Sequence, residues 1–512
     1  MSTKKILAVL LALFVLATAV SGCGNSGSSS ADSQSGSSAT SENSASTEDT
    51  ASTDGEVPTI SLMVVCGTTP PDADAVAEKL SEITREKIGC NVEFITMEIG
   101  NVAQQLNLLP SGGDDTLDVF MAGISVPYST IVNNGQALSL DTLMEPYAEE
   151  VKTALGEKVY ESGRVNGELY GIGRLLDQAS TTCYNLRRDI AEEFGYKNGD
   201  KVDLAELTEL FGKVREKYPD TPLIGPMNGV PSIGDSRIDS LGNKLGVLDN
   251  YGQDTTVTNY YESAGYEELV GYFKQWKEMG CYMADILNVT DAPIDYIPSG
   301  KAFGCFASHF SAEMNGIWSS QNFGTDIASL QIYEDAVAIT PGAYECINPA
   351  TKNPEAAAAL IYLMATDPDV ENLLINGIEG QHYQVLEDNT ATYVDGKDIS
   401  TTGWCLGYSW TALNSTISIP FEYPADYYDR LLEANKNAQQ SKAFGCQFDL
   451  TGVSDAVSAC TNVVNQYENA LSGGAVEDFD ATLAQFQQGL RDAGIDEIVA
   501  AKQEQLDAFL AG

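Results

Sequence analysis

The sequence predicts an α/β fold on three observations. From Thr59 to Gly123, apolar β-branched runs alternate with runs of helical periodicity, the pattern of an α/β layer with parallel pairing. Two proline-opened helix starts, Asn353-Pro354-Glu355 and Asp367-Pro368, each lead into an apolar run. The length from Pro58 to Gly512 exceeds one small domain and suits two or three.

Taken in order, the chain opens with Lys4 and Lys5 and an apolar stretch from Ile6 to Val20. That stretch is about 15 residues, short of the roughly 20 a spanning helix needs. Val20-Ser21-Gly22-Cys23 then places small residues directly before a cysteine, which resembles the bacterial lipobox. The resemblance implies a signal peptide over 1–22 and a Cys23 that is lipidated and becomes the new N-terminus. An ordinary secretory signal with a chance cysteine, or a transmembrane anchor, is the competing reading. Residues 23–57 hold almost only small, polar and acidic residues and no Lys or Arg. Such a segment buries too little apolar surface to offset chain entropy, so a disordered linker is expected. As a flexible coil it would hold the folded part roughly 30 Å from the membrane surface, anchored to the membrane without spanning it.

Thr59–Cys66 reads as a buried strand. Asp74 to Ile88 carries Val76, Leu80 and Ile83 on one helical face and ends at Gly89, suited to a helix C′ position. Val92, Phe94 and Met97 suggest a second strand, Val102–Leu109 a short helix, and Leu117–Gly123 a third strand. Ligands of such sheets sit beyond the carboxyl ends of the strands, which points to Gly67–Thr69, with Thr68, and to Gly123–Tyr128, with Ser125 and Tyr128. Asn353 and Asp367 read as N-caps before N1 prolines, and the helix through Ala365 is apolar enough to be buried. Two amphipathic helices close the chain, one with Leu483, Phe486 and Leu490, the other with Ile495, Ile498, Leu506, Phe509 and Leu510.

The formal net charge of −45 argues against nucleic acid or anionic lipid as partner and fits an extracellular surface that must stay soluble. Ten cysteines leave nine after Cys23, an odd number that cannot all pair within the chain. Their small or apolar settings suggest mostly free thiols. No CxxC or Cys/His cluster with zinc spacing occurs, so neither metal nor cofactor is expected.

Further landmarks lie along the chain: Asn133-Asn134-Gly135-Gln136-Ala137-Leu138-Ser139-Leu140, Val165-Asn166-Gly167-Glu168-Leu169-Tyr170-Gly171-Ile172, and Thr351-Lys352-Asn353-Pro354-Glu355-Ala356-Ala357. In this order they resemble the extracellular solute-binding proteins of family 1, the lipoprotein receptors of carbohydrate ABC importers. Asn376-Gly377-Ile378-Glu379-Gly380-Gln381-His382-Tyr383 is similar to a segment of a subgroup of long Gram-positive lipoproteins with an extra C-terminal domain, which Phe448–Gly512 resembles. One departure is Gly173, where the family has proline. The resemblance implies a two-lobed periplasmic-binding-protein-like fold (type II) with hinge crossings and extra C-terminal helices. It implies lobe 1 from 58–172 and 345–385, lobe 2 from 173–344, and a segment 386–512 completing the cleft and forming the helical domain. It further implies a carbohydrate ligand, an oligosaccharide by preference, captured by lobe closure, ABC permease subunits as partners, and a monomer lipid-anchored on the extracellular face of a Gram-positive cell.

For the ligand, Ile399–Phe421 has no charged residue, in a chain where 20% of residues are charged. It carries Trp404, Tyr408 and Trp410 among Ser, Thr, Gly and Asn. Sugars present apolar C–H faces and a rim of hydroxyls, which aromatic platforms beside uncharged polar groups suit; a core strand is the alternative. Ser308, His309 and Trp318 form a second candidate group, and Gln178, Ser180 and Tyr184 a third, just after the crossing segment. Asp118 is read as capping a backbone turn.

Enzymes of the secreted hydrolase class are the competing reading, beside a surface adhesin or structural lipoprotein and a receptor for a non-sugar solute. No G-x-S-x-G elbow occurs, and Gly234-Asp235-Ser236 lacks a later Asp-x-x-His. Nothing selects a glycosidase pair among 73 acids, and no catalytic residue is expected.

Overall fold

The computed structural model describes residues 57–106, 117–176, 178–227, 233–398, 401–404 and 411–512. Cys23 and the linker lie outside them, as do Tyr408 and Trp410.

The predicted alternation is present. The apolar strand Thr59–Cys66 is buried from Ile60 onward and lies between parallel strands Asn91–Glu98 and Val119–Ala122. The helix Ala73–Lys87 buries Val76 and Leu80 and gives way to Gly89 at φ +71°, a conformation glycine adopts without strain. Asp118 does cap and tie: its carboxylate accepts from the Ser61 amide and hydroxyl at 2.9 and 3.0 Å. Two further strands complete the sheet. Tyr344–Ile347 inserts antiparallel beside Val119–Ala122, and Gly171–Gly173 pairs on its far side. A Cβ at Gly173 would approach the Val159 carbonyl to 3.0 Å. The Asn166-Gly167 pair, at φ +52° and +87°, turns the hairpin Arg164–Val165 to Glu168–Leu169, as Asn-Gly does in tight hairpins.

A second sheet has the order Ile327–Gln331, Thr181–Arg187, Gly304–His309, Ile224–Gly225, the first three antiparallel and the last parallel to its neighbour. Helices Leu204–Lys217 and Ala264–Glu278 pack on it, burying Phe211, Phe273 and Trp276. The Trp276 indole N–H donates to the Thr208 hydroxyl at 2.9 Å.

Three stretches pass between the lobes side by side. Residues 174–176 and 178–180 belong to the first, and Ala179 bridges to Ala338 in the second. The second, Val337–Ala338, pairs in parallel with Gln439–Gln440 of the third. The helices Pro354–Thr366 and Pro368–Asn376 return to the first lobe. Asp367 caps the second of them, accepting from the Asp369 and Val370 amides, whereas the Asn353 side chain makes no capping bond. His382 is buried there. Its Nδ1 accepts from the Ile378 amide at 2.9 Å and its Nε2 lies 3.0 Å from an Asp72 oxygen. The bond from His382 holds the Asp72 carboxyl below its ordinary range.

Three helices, not two, close the chain: Ser454–Ser472, Phe479–Asp492 and Ile495–Ala511. The first buries only Cys460, Leu471 and Ser472, too thin a stripe to stand out by periodicity. Leu471, Phe479, Phe486, Leu490, Ile495 and Ile498 belong to one core with Tyr261, Tyr266, Leu269 and Phe273 of the second lobe. Among the described residues, all eight cysteines are free thiols and buried.

Where the first crossing leaves the first lobe, Arg174 is buried with Glu345 and Glu371. The Arg174 Nε donates to the Ala412 carbonyl at 2.6 Å, and Glu371 accepts from the Leu413 amide at 3.0 Å. Neither oxygen of Glu345 has a hydrogen-bond partner.

Candidate functional site

Two adjoining cavities lie where the lobes meet. The first, of about 350 Å³, is lined by Gly123 and Pro127–Ser129 of the first lobe, Asp239–Asn243 of the second, and the crossings Ile339–Gly342, Ala443 and Cys446–Phe448. The second, of about 220 Å³, is lined by Gln178, Ser180, Thr182, Gly234–Ser236, Lys244, Ser308 and Val337. Ser240 and Ile339 line both. Together they fall in the size range of small-molecule sites.

The floor of the first cavity is built from the hinge. Tyr128 stacks on Tyr344 with centroids 4.1 Å apart, and its hydroxyl donates to the Gly163 carbonyl at 2.6 Å. The Tyr344 hydroxyl accepts from Gln447 Nε2 at 2.7 Å and lies 3.2 Å from the Ser162 hydroxyl. Gly123 has φ +104°, and a Cβ there would come within 2.0 Å of the Gly342 carbonyl oxygen, so only glycine lets the strand end meet the hinge so closely.

The charged groups that line the cavities are already engaged. Arg237 holds Asp235 at 2.9 Å, and Lys244 pairs with Glu468 at 3.2 Å. Asp239 accepts from the Leu241 amide at 3.0 Å, and burial raises its carboxyl above the ordinary range despite Ser441 and Lys502. Two uncharged groups are not engaged: Gln178 Nε2 and the Ser236 hydroxyl are buried with no hydrogen-bond partner. A buried polar atom without a partner costs roughly 1–3 kcal/mol. Both residues line the second cavity, where a ligand would supply the missing partner.

The residues singled out from the sequence divide by placement. Gln178, Ser180, Ser308 and Tyr128 line the cavities. Trp404 does not: it is buried in the first lobe's core, stacked on Phe94 at 5.8 Å, with its indole N–H donating to the Leu374 carbonyl. A stretch without charges also describes a core, and Trp404 follows that reading. Tyr184 is likewise wholly buried, between Phe211 and Phe306, its hydroxyl donating to the Leu223 carbonyl at 2.7 Å; its strand is buried on both faces. Trp318 packs edge-on against Phe323. His309 packs on Phe310 and accepts from the Ser311 amide at 3.3 Å, and burial pulls its imidazole down to about 4, so it is neutral at pH 7. Thr68 and Ser125 are exposed on their loops and line neither cavity. Thr411, which follows Trp410 in the sequence, accepts from the Val65 amide at 3.2 Å.

Missed from the sequence were Ser236, the loop Asp239–Asn243, and Gln447. The signal available was the density of Gly, Ser, Asp and Asn from Gly234 to Gly246, which marks an irregular segment without saying what it faces.

Residues 442–511 match the model of a domain of unknown function, DUF3502. The chain is 23% identical over 474 residues to a carbohydrate ABC transporter substrate-binding protein of Streptococcus pneumoniae serotype 4, covering 90% of this chain and 92% of that one. Its fold is similar to the N-glycan transport solute binding protein (NgtS) of Streptococcus pneumoniae, with a TM-score of 0.75 at 20% identity over 89% of this chain and 99% of that one. The complex of NgtS with Man5GlcNAc gives 0.66 at 21% identity, over 89% and 99%. An HMO-binding, ABC-transporter-associated solute binding protein of Bifidobacterium longum infantis gives 0.63 at 15% identity, over 88% and 99%. The resemblance drawn from the motifs is borne out: the chain has the two-lobed α/β fold of solute-binding proteins, and the helices of residues 442–511, which match DUF3502, pack into the core of its second lobe.

Proposed function

We propose that this chain is the membrane-tethered, extracellular substrate-binding protein of an ABC importer. It captures an uncharged carbohydrate, an oligosaccharide by preference, between its lobes and delivers it to the permease once the lobes have closed. The observation that carries this reading is the pair of cavities at the hinge, where Asp235 and Lys244 are paired with Arg237 and Glu468 while Gln178 Nε2 and the Ser236 hydroxyl are buried without partners. Hydroxyl groups of a neutral sugar meet that need without bringing a charge to be desolvated. The names of the relatives, a carbohydrate importer's binding protein and glycan-binding receptors, support the same class of ligand. The lipobox-like Val20–Cys23 supports lipidation at Cys23. Closure follows from geometry: contacts made by both lobes favour the closed over the open state by as much as the ligand distinguishes them. No covalent step is required.

Thermal melting of the protein against neutral and acidic mono- and oligosaccharides tests this. A ligand at 100 times its Kd adds roughly 2.7 kcal/mol, read as a raised midpoint for a neutral glycan that is recovered intact. No shift across the panel from a folded protein would overturn the carbohydrate reading, and a consumed glycan would indicate an enzyme.

A further inference from the structure

The cleft loop Asp239–Gly246 is an unusual piece of backbone. Leu241 and Lys244 have φ of +44° and +58°, and Gly242 and Gly246 lie at +91° and +100°. Left-handed conformations are unfavourable for residues that carry a Cβ, so such a loop holds its shape only when its surroundings over-determine it. Those surroundings are the C-terminal helices. Lys502, on the helix Ile495–Ala511, is wholly buried. Its ammonium donates to the Leu241 carbonyl at 3.0 Å, the Asn243 Oδ1 at 2.7 Å and the Gly246 carbonyl at 3.1 Å. Three N–H groups meet three acceptors, all on this loop. The absence of a side chain at Gly246 makes room, since a Cβ there would stand 3.2 Å from the Lys502 Cδ. A second tie comes from the helix Ser454–Ser472, where Glu468 pairs with Lys244.

A buried ammonium is costly unless it is fully paired. Burial pulls Lys502 down to about 7, against the attraction of Asp239. A leucine or methionine would cover the same apolar surface without that cost, so packing alone does not call for lysine here. What lysine adds is a fixed point for three backbone and side-chain acceptors of a loop whose Asp239, Ser240, Leu241, Gly242 and Asn243 line the first cavity.

We infer that the DUF3502 domain is the scaffold of the cleft loop Asp239–Gly246, and that Lys502 is the positioning residue that sets this loop for ligand. The inference rests on the cleft being the ligand site, and it gives the domain a part in binding without contact between Lys502 and the ligand.

The test measures two things on the full chain carrying Lys502→Met: amide hydrogen exchange along residues 239–246, and affinity for the glycan that most raises the melting midpoint. The expected result is at least tenfold faster exchange in the loop, unchanged protection in the three C-terminal helices, and at least fivefold weaker binding. Where Lys502→Met does not fold, Glu468→Gln carries the test, because the Glu468 side chain is only partly buried; faster exchange at Lys244 and at least twofold weaker binding are then expected. Wild-type exchange in a folded variant, or faster exchange with unchanged affinity, would overturn the inference. A wild-type protein that binds no glycan would instead remove the carbohydrate reading, while loop exchange would still decide whether the domain holds the loop.

Discussion

Ending the chain at Phe448 is expected to leave a protein whose second lobe does not fold. Six large side chains that would be lost, Leu471, Phe479, Phe486, Leu490, Ile495 and Ile498, are buried in the same cluster as Tyr261, Tyr266, Leu269 and Phe273. Phe486 stands against Tyr261 at 4.8 Å between ring centroids, and Gln487 Nε2 donates to the Tyr261 carbonyl at 2.9 Å. At about 1.5–3 kcal/mol for each buried side chain, the loss is roughly 9–18 kcal/mol, as large as the roughly 5–15 kcal/mol that holds a domain folded. Soluble yield, circular dichroism and limited proteolysis of the truncated chain measure this. Wild-type melting of the truncated chain would show the C-terminal helices to be an appendage.

The second large effect is expected at the buried cluster of Arg174, Glu345 and Glu371. Burial pushes both carboxyl groups up to about 8 from an ordinary 4.5, although Arg174 pulls them down. The sign follows from linkage. Below about pH 4.5 both groups are protonated folded or unfolded, and their contribution to stability is fully present. As pH rises toward 8 the unfolded chain ionises while the folded one resists, and that contribution is lost. The melting midpoint should therefore fall between about pH 5 and 8, and Glu345→Gln should flatten the fall, matching wild type near pH 5 and exceeding it by about 1–3 kcal/mol at pH 8. Arg174→Ala removes the cation that favours ionisation of both buried carboxyl groups, so it should carry the fall of the midpoint on to higher pH. Parallel pH profiles for wild type and Glu345→Gln would contradict this account of the cluster.

The fold was legible where its causes are local. Thr59–Gly123 declared its strands and helices through side-chain period, and Pro354 and Pro368 declared helix starts through the chemistry of the first turn. The strand Tyr344–Ile347 carries no local mark of its place between Val119–Ala122 and Gly171–Gly173, because that place is set by the return of the chain from the second lobe. The site was legible in part for the same reason. Gln178 and Ser180 follow the crossing segment directly and so reach the hinge. Trp404 and Tyr184 went to the core because an aromatic side chain in an uncharged or strand-like run reads alike in either setting. Gly234-Asp235-Ser236, met as a fragment of an enzyme motif, contributes a cavity wall and a hydroxyl in need of a partner.

Small-angle X-ray scattering of the protein with and without the glycan that most raises its melting midpoint addresses the central claim directly, that ligand is captured between lobes that close on it. The account predicts a smaller radius of gyration at saturating glycan, with Gln178→Ala requiring more glycan to reach it. An unchanged radius of gyration at saturation, with binding confirmed in the same sample, would contradict capture by closure.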